Sequence, residues 1–453
     1  MISENIVRLM KTILSKLRTP IGENLISTFF GIGIQLFVQL VLVPFYLIYW
    51  GVELYGDWIV LTAITSFFSI SDIGLNTVAS NLLAIRYQEK QYKECNSLLA
   101  NSVVLLVVTF SILNILLFIF LLDNDLVAIA GLNQINRFQS SVVLILLVVK
   151  IFFGMMGGVY HSIYKCVSKT HKGIMISNIS RLIEGLILLL CIIVKLPILL
   201  VALLYIVPSI ITFIYIRYDT THNIYKFKFH ISYLNWRLFK SLLIPSFAFI
   251  SFPFGLSILN QGFTLIVNKY LGAESVVLFN TTRTLTNFAK SIVGNIQVAI
   301  WPEFTIAYAN NNKKKMQNIA RKVFHVSIFL TICFSLFFYI FGEWIYDIWT
   351  KGKVEFSMSL MMAFLIVVFA DSIWSTARLT LNATNNHTKI GLLYFCLSII
   401  ATFVAFLSAI LTHKLILVVL SMLVVDIFMS VYSIKKSMLL TQDSFINYLY
   451  YKK

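Results

Sequence analysis

Residues 67–84 read FFSISDIGLNTVASNLLA, and Asp72 within them is the only ionisable side chain between Asp57 and Arg86. The rest of the run from 58 to 85 is of a composition that suits lipid. A helix crossing a bilayer needs about 20 such residues. A carboxylate near its centre costs roughly 2.5–3.5 kcal/mol on insertion scales. Two expectations follow from a stretch that accepts this cost: it spans a membrane, and its charge meets a partner, a cavity or water.

The chain repeats the pattern. Of its 453 residues 59% are hydrophobic and 12% charged, which excludes an ordinary soluble protein. Windows of about 18 or more apolar residues give twelve spans, at approximately 24–49, 58–85, 96–122, 138–164, 173–194, 196–216, 241–268, 275–302, 323–342, 356–386, 390–413 and 415–434. Barrel strands need only about 9–11 residues of alternating polarity, so the fold class is all-α integral membrane with about 12 transmembrane helices.

The formal charge of +17 would suggest nucleic acid in a soluble protein, but the positions of the charges follow topology instead. Basic residues crowd the N-terminus (Arg8, Lys11, Lys16, Arg18), then every second connection, as in Arg86, Lys90 and Lys93 or Lys313, Lys314 and Lys315, and again the C-terminus (Lys435, Lys436, Lys452, Lys453). The intervening connections hold few, such as Arg137, Lys195 and Lys269. The positive-inside rule then places both termini in the cytoplasm. No nucleic-acid partner is needed to explain the charge.

MISENIVRLMKTILSKLRTP, residues 1–20, sets Ile2, Ile6, Leu9, Ile13 and Leu17 at helical spacing and reads as an interfacial amphipathic helix. It lacks the uninterrupted apolar core and small-residue cleavage site of a signal peptide. Cys95, Cys166, Cys191, Cys333 and Cys396 show no metal spacing. There is no HExxH among the histidines, so no metal or cofactor is expected. Trp50, Tyr55, Trp58, Trp344 and Trp349 at span ends read as an interfacial belt.

Sliding the sequence on itself reveals a repeat. At an offset of 221, VPFYLIYWGVELYGDW (43–58) meets TLIVNKYLGAESVVLF (264–279), with Gly51 on Gly272 and Glu53 on Glu274. Farther on, SKTHKG (168–173) faces NNHTKIG (385–391) at an offset near 218. Each half holds an even number of spans, so the repeat is parallel, about an axis along the membrane normal. The expected domains are a basic N-terminus (1–23), a six-helix lobe (24–216), a basic linker (217–240), a second six-helix lobe (241–434) and a tail (435–453).

Twelve spans in two lobes, the basic N-terminus and the SDIGL of span two resemble the polysaccharide exporters of the multidrug/oligosaccharidyl-lipid/polysaccharide superfamily, and among them the Wzx-type O-antigen flippases. The resemblance implies a MATE-like fold in a bacterial inner (plasma) membrane. It also implies movement of an undecaprenyl-pyrophosphate-linked oligosaccharide by alternating access, through a lumen carrying basic and acidic side chains, with ion coupling. Its partners would be that lipid-linked substrate, membrane lipids and other polysaccharide-assembly proteins. Multidrug exporters share the fold, and many carry a coupling carboxylate in span one or seven. Here span one offers only Gln35 and Gln39, and span seven has no ionisable residue. A membrane glycan polymerase, the enzymatic alternative, would typically display a long outer loop, whereas residues 123–137 form a short one, so no enzyme activity is expected. A scaffold without transport sits poorly with clustered intramembrane charge.

Ionisable groups inside spans mark sites, because they must face an interior, a partner or water. Lys150, Arg283, Lys290 and Arg378 are the candidates for an anion such as pyrophosphate, since Arg grips phosphate through two nitrogens and Lys acts as a point charge. Asp72, Asp371, Asp426, Glu184 and Arg181 are candidates for ion coupling or as charge partners. Arg181 and Glu184, three apart, are placed to pair with each other. Asp371 is a partner open to either Lys150 or Arg378. For Asp72, either proton coupling or a structural pairing across the lobe fits. Gly154 and Gly158 form a GxxxG, which usually marks a helix contact. Pro44, Pro245, Pro253 and Pro302 suit kinks, for alternating access or for static packing.

Overall fold

The computed structural model describes residues 20–72, 75–224, 230–383, 388–444 and 447–448. The basic N-terminus, Gly74 of the SDIGL stretch and the end of the tail lie outside them, as does the Asp72 side chain. Among the described residues there is no strand. The helices are α1 (Pro20–Tyr49), α2 (Gly51–Ser66), α3 (Leu75–Gln88), α4 (Tyr92–Asp123), α5 (Leu126–Ala130), α6 (Arg137–Cys166), α7 (Thr170–Ile193), α8 (Ile198–Tyr218), α9 (Trp236–Ser257), α10 (Phe263–Ala309), α11 (Lys313–Thr350), α12 (Met358–Ala383), α13 (Thr388–Thr412), α14 (Leu415–Leu420) and α15 (Leu423–Thr441).

Among the described residues, ten stretches are long and apolar enough to cross a membrane, so the protein is a multi-pass membrane protein. The difference from twelve has two physical causes. Span two is not one helix: α2 ends at Ser66, a 3₁₀ segment covers Phe67–Asp72, and α3 resumes at Leu75. Spans seven and eight fill one continuous stretch, Ile250–Gly294, but remain two helices that meet at a one-residue turn, Gly272, whose φ of 89° and ψ of 171° break α10 between them. A left-handed φ of this kind is open chiefly to glycine.

The turns carry the repeat. Positive φ occurs at Gly51 and Gly272, at Lys90 and Asn311, and at Gly131 and Gly352, each pair separated by the offset found in sequence. Lys195 and His413 match at the second offset, near 218. The backbone thus ends corresponding helices in the same way, even where side chains differ.

Two compact units divide the chain. In the first, α1 packs along α7, α6 along α8, and α3 against α4 and α6. Small residues allow the closest approach: a methyl at Gly31 would run into the amide of Asn178, and one at Gly185 would lie 2.7 Å from Val38. Asn178 is buried there and donates to the Ser27 carbonyl at 2.7 Å, a polar contact of the kind that joins helices in lipid. Gly154 of the GxxxG behaves differently, since an added Cβ would meet nothing within 4 Å. It faces space and makes no helix contact.

The second unit is built on α12, which packs against α10, α11 and α15. It also takes in residues 51–63 and 127–134. Those segments are tied by polar groups: the buried Asp57 carboxylate accepts from the backbone of Asn133 at 2.9 Å and of Gln134 at 2.7 Å, and the Asn268 amide donates to the carbonyls of Ala130 and Gly131. Gly56 meets Ala273 at close range. Tyr55, Trp58 and Trp349, expected in an interfacial belt, are buried in this unit, whereas Trp344 is exposed as expected. At the other end Arg321 grips Asp443 with two nitrogens, at 2.7 and 2.6 Å. Tyr448 then enters the cluster of Phe304, Met316 and Phe324, where burial pushes its phenol up to about 12. Exposed Ile112, Ile211, Phe403 and Val431 form the outward surface that lipid would cover.

Gly185→Leu should overpack the α1–α7 contact and destabilise the fold by about 1–3 kcal/mol. Gly154→Ala, adding a methyl to open space, should leave the melting temperature of the detergent-purified protein within error of wild type.

Candidate functional site

Each unit gathers intramembrane charges around its own cavity. In the first, α6, α7 and α8 bring Lys150, Arg181, Glu184, Tyr205 and Ser209 together with Gln35 of α1. Lys150 Nζ lies 2.9 Å from Glu184 Oε2 and 4.3 Å from the centroid of the Tyr205 ring. Ser209 Oγ donates to the other carboxylate oxygen at 2.8 Å. Both oxygens of Glu184 are thereby satisfied, and the lysine gains an ion pair and a ring face. Arg181, expected to pair with Glu184 on its own helix, donates to Gln35 Oε1 at 3.3 Å. A residue on a facing helix outcompeted the intrahelical neighbour. The cavity measures about 630 Å³.

The second cavity, about 70 Å³, is lined by Arg283, Asn287 and Lys290 of α10, Asp371 of α12, Tyr394 of α13 and Asp426 of α15. Lys290 Nζ stands 3.4 Å from Asp371 Oδ1. Asp371, weighed against Lys150 and Arg378, therefore pairs with neither. Asp426 is buried and accepts from Trp374 Nε1 at 2.9 Å. Two carboxylates thus line one cavity in which, among the described residues, the Lys290 ammonium pairs with Asp371 alone, an arrangement able to hold a proton or a small cation.

Arg283 has no carboxylate within ion-pair distance among the described residues. Its guanidinium donates to the Asn260 carbonyl at 2.6 Å, to Thr264 Oγ1 at 3.3 Å and to Asn280 Oδ1, and lies 4.9 Å from the centroid of Phe279. Asn260 sits in a π-helical turn, Ile258–Gly262, a local irregularity often found at functional sites. Arg378 is also without a close carboxylate among the described residues. It lies between Phe252 at 4.3 Å and Trp374 at 5.1 Å, and its buried Nε has no hydrogen-bond acceptor. No cluster of metal-ligating side chains occurs among the described residues.

Of the nine predicted side chains, Lys150, Arg181 and Glu184 meet in one cavity and Arg283, Lys290, Asp371 and Asp426 in the other; Arg378 flanks the second through Trp374. Tyr205, Ser209, Trp374 and Tyr394 were not singled out from sequence. Aromatic and hydroxyl side chains are abundant in every span, and their position on the charged face is a tertiary fact. One sequence signal was available: at the offset of 221, Lys150 falls on Asp371.

With this geometry in hand, likeness to known proteins can be stated. Residues 21–308 match the family described as polysaccharide biosynthesis protein. A Salmonella typhi protein named "Putative O-antigen transporter" is 26% identical over 362 residues, covering 78% of this chain and 81% of its own. Among solved structures, an inward-facing multidrug resistance MATE family transporter of the MOP superfamily superposes with a TM-score of 0.72 at 11% identity, over 92% of this chain and 94% of its own. Lipid II flippase MurJ superposes with a TM-score of 0.67 at 16% identity, over 92% and 89%. The two structural likenesses establish the fold.

Removing one partner of the Lys150–Glu184 pair leaves a buried charge unanswered. Glu184→Ala and Lys150→Ala should each lower the thermal stability of the purified protein more than the double variant does. The coupling should be on the order of 1 kcal/mol in a double-mutant cycle. Strict additivity would show that the pair carries no interaction energy.

Proposed function

From the premise that the chain belongs to the polysaccharide biosynthesis protein family, on the match over residues 21–308, we propose that it translocates an undecaprenyl-pyrophosphate-linked oligosaccharide across the bacterial inner membrane. The movement proceeds by alternating access, with both termini on the cytoplasmic side. The observation that carries this reading is the state of Arg283 and Arg378. Lys150 and Lys290 have carboxylate partners at 2.9 and 3.4 Å, whereas the guanidiniums of Arg283 and Arg378, like that of Arg181, are held by neutral acceptors or aromatic rings.

An arginine stays charged at any physiological pH, and an intramembrane cation without a counter-charge is costly. An anionic ligand group would supply that counter-charge. Pyrophosphate is such a group, and guanidinium engages it with paired hydrogen bonds. The cavity of Asp371, Asp426 and Lys290 is the place where a coupling cation or proton would exchange, because its second carboxylate, Asp426, has no paired ammonium among the described residues and favours uptake of a further positive charge. The name of the Salmonella typhi relative, a transporter of O-antigen, supports the same substrate class.

The test is restoration of surface polysaccharide in a strain that lacks its own O-antigen flippase. Wild type should restore it. Arg283→Ala and Arg378→Ala, at matched membrane abundance, should each reduce it by about tenfold or more, the loss expected for a charged hydrogen bond. Full activity of both arginine variants would remove the anion-binding role. Failure of wild type against several glycan types, with drug resistance appearing instead, would favour a multidrug exporter.

A further inference from the structure

The cavity of the first unit differs from that of the second in size and in chemistry. At about 630 Å³ it falls in the range of ligand pockets, roughly 300–1,000 Å³. The space beside Asp371, about 70 Å³, falls well below that range. In the larger cavity Lys150 is answered by Glu184, which leaves the Arg181 guanidinium, resting on the Gln35 amide, as its net charge. What lines the remaining surface is mostly neutral: the amides of Gln35 and Gln39, the hydroxyls of Ser180, Ser209 and Thr212, and the ring of Phe213.

That lining discriminates between ligand classes. A lipid tail would leave amides and hydroxyls without partners, at about 1–3 kcal/mol each. A pyrophosphate would meet Glu184 as well as the cations, and a lipophilic drug cation would meet Arg181 and Lys150. A sugar ring fits better. Its hydroxyls both donate and accept, matching amide and hydroxyl walls, and its C–H face is apolar, matching an aromatic ring. The space is kept open by glycine: a Cβ added at Gly154 or Gly157 would meet nothing within 4 Å. The same opening explains why Gly154 does not pack against a neighbouring helix.

We propose that this cavity is a sugar-reading subsite, taking a neutral sugar residue of the oligosaccharide against Gln35, Arg181, Glu184 and Ser209, with the rings of Tyr205 and Phe213 as its apolar wall. The inference rests on the flippase reading and adds to it the class of group that this cavity recognises. It assigns to Gln35 and Gly154 the selection among glycans, and it predicts that larger side chains at Gly154 exclude larger sugars.

The experiment uses the full chain in proteoliposomes with two undecaprenyl-pyrophosphate substrates, one carrying a single sugar and one a complete neutral repeat unit. Translocation is read as glycan made accessible to a membrane-impermeant glycosidase. Wild type should move the complete unit. Gly154→Trp, which fills the cavity, and Gln35→Ala, which removes a polar contact without adding bulk, should each lower the ratio of complete unit to single sugar by about tenfold. Single-sugar transport supplies the internal control for folding. An unchanged ratio in both variants, with wild-type transport intact, would overturn the subsite and leave the flippase reading standing. Absence of transport of either substrate by wild type would overturn the flippase reading and the subsite with it.

Discussion

The ion pair between Lys150 and Glu184, 2.9 Å long and set inside helices of membrane-spanning length, embodies the constraint on which the structure depends. A charge on such a helix has no water to turn to, so it must be answered by another helix or a cavity. That requirement decides which faces of α6, α7 and α8 turn inward, and the apolar remainder is left for lipid. The Lys290–Asp371 pair imposes the same condition on α10 and α12. Pairs of this kind contribute little net stability, yet leaving either partner alone is costly, so they specify register more than they strengthen the fold.

Glycine serves two opposite ends within one unit. At Gly31 and Gly185 the missing side chain lets α1 and α7 approach until the next atoms are those of Asn178 and Val38. At Gly154 and Gly157 the missing side chain leaves room that no neighbour occupies. Spacing alone does not separate these cases, and a GxxxG pattern read as a contact turned out to border a cavity. The distinguishing fact is what stands opposite, which belongs to another helix.

The two halves share a backbone plan while their chemistry has diverged. Left-handed turn residues recur at Gly51 and Gly272, Lys90 and Asn311, and Gly131 and Gly352, because a helix that must stop and reverse has few conformations available. The charges carry no such obligation. Lys150 in one half corresponds by offset to Asp371 in the other, and each found a partner of opposite sign: Glu184 on α7 for the first, Lys290 on α10 for the second. One unit holds a wide cavity walled mostly by neutral polar groups, the other a narrow one with two carboxylates.

The all-α membrane class, the positions of most spans and the internal repeat were legible in the sequence. They depend on properties that act residue by residue: apolar runs of bilayer length, basic residues in alternating connections, and glycine at a turn. So were the charged side chains set inside spans, since any ionisable group within such a run is exceptional. Their partners were not legible. Arg181 and Glu184 share a helical face, yet Arg181 bonds to Gln35 and Glu184 to Lys150; Lys290 showed no acid within a turn on its own helix, yet meets Asp371 of α12. The break of span two into a 3₁₀ segment was equally hidden. Sequence determines what each helix must hide, but which helix stands opposite is settled by packing between segments far apart in the chain, and only the tertiary structure decided that Arg283 and Arg378 would have no carboxylate within ion-pair distance among the described residues.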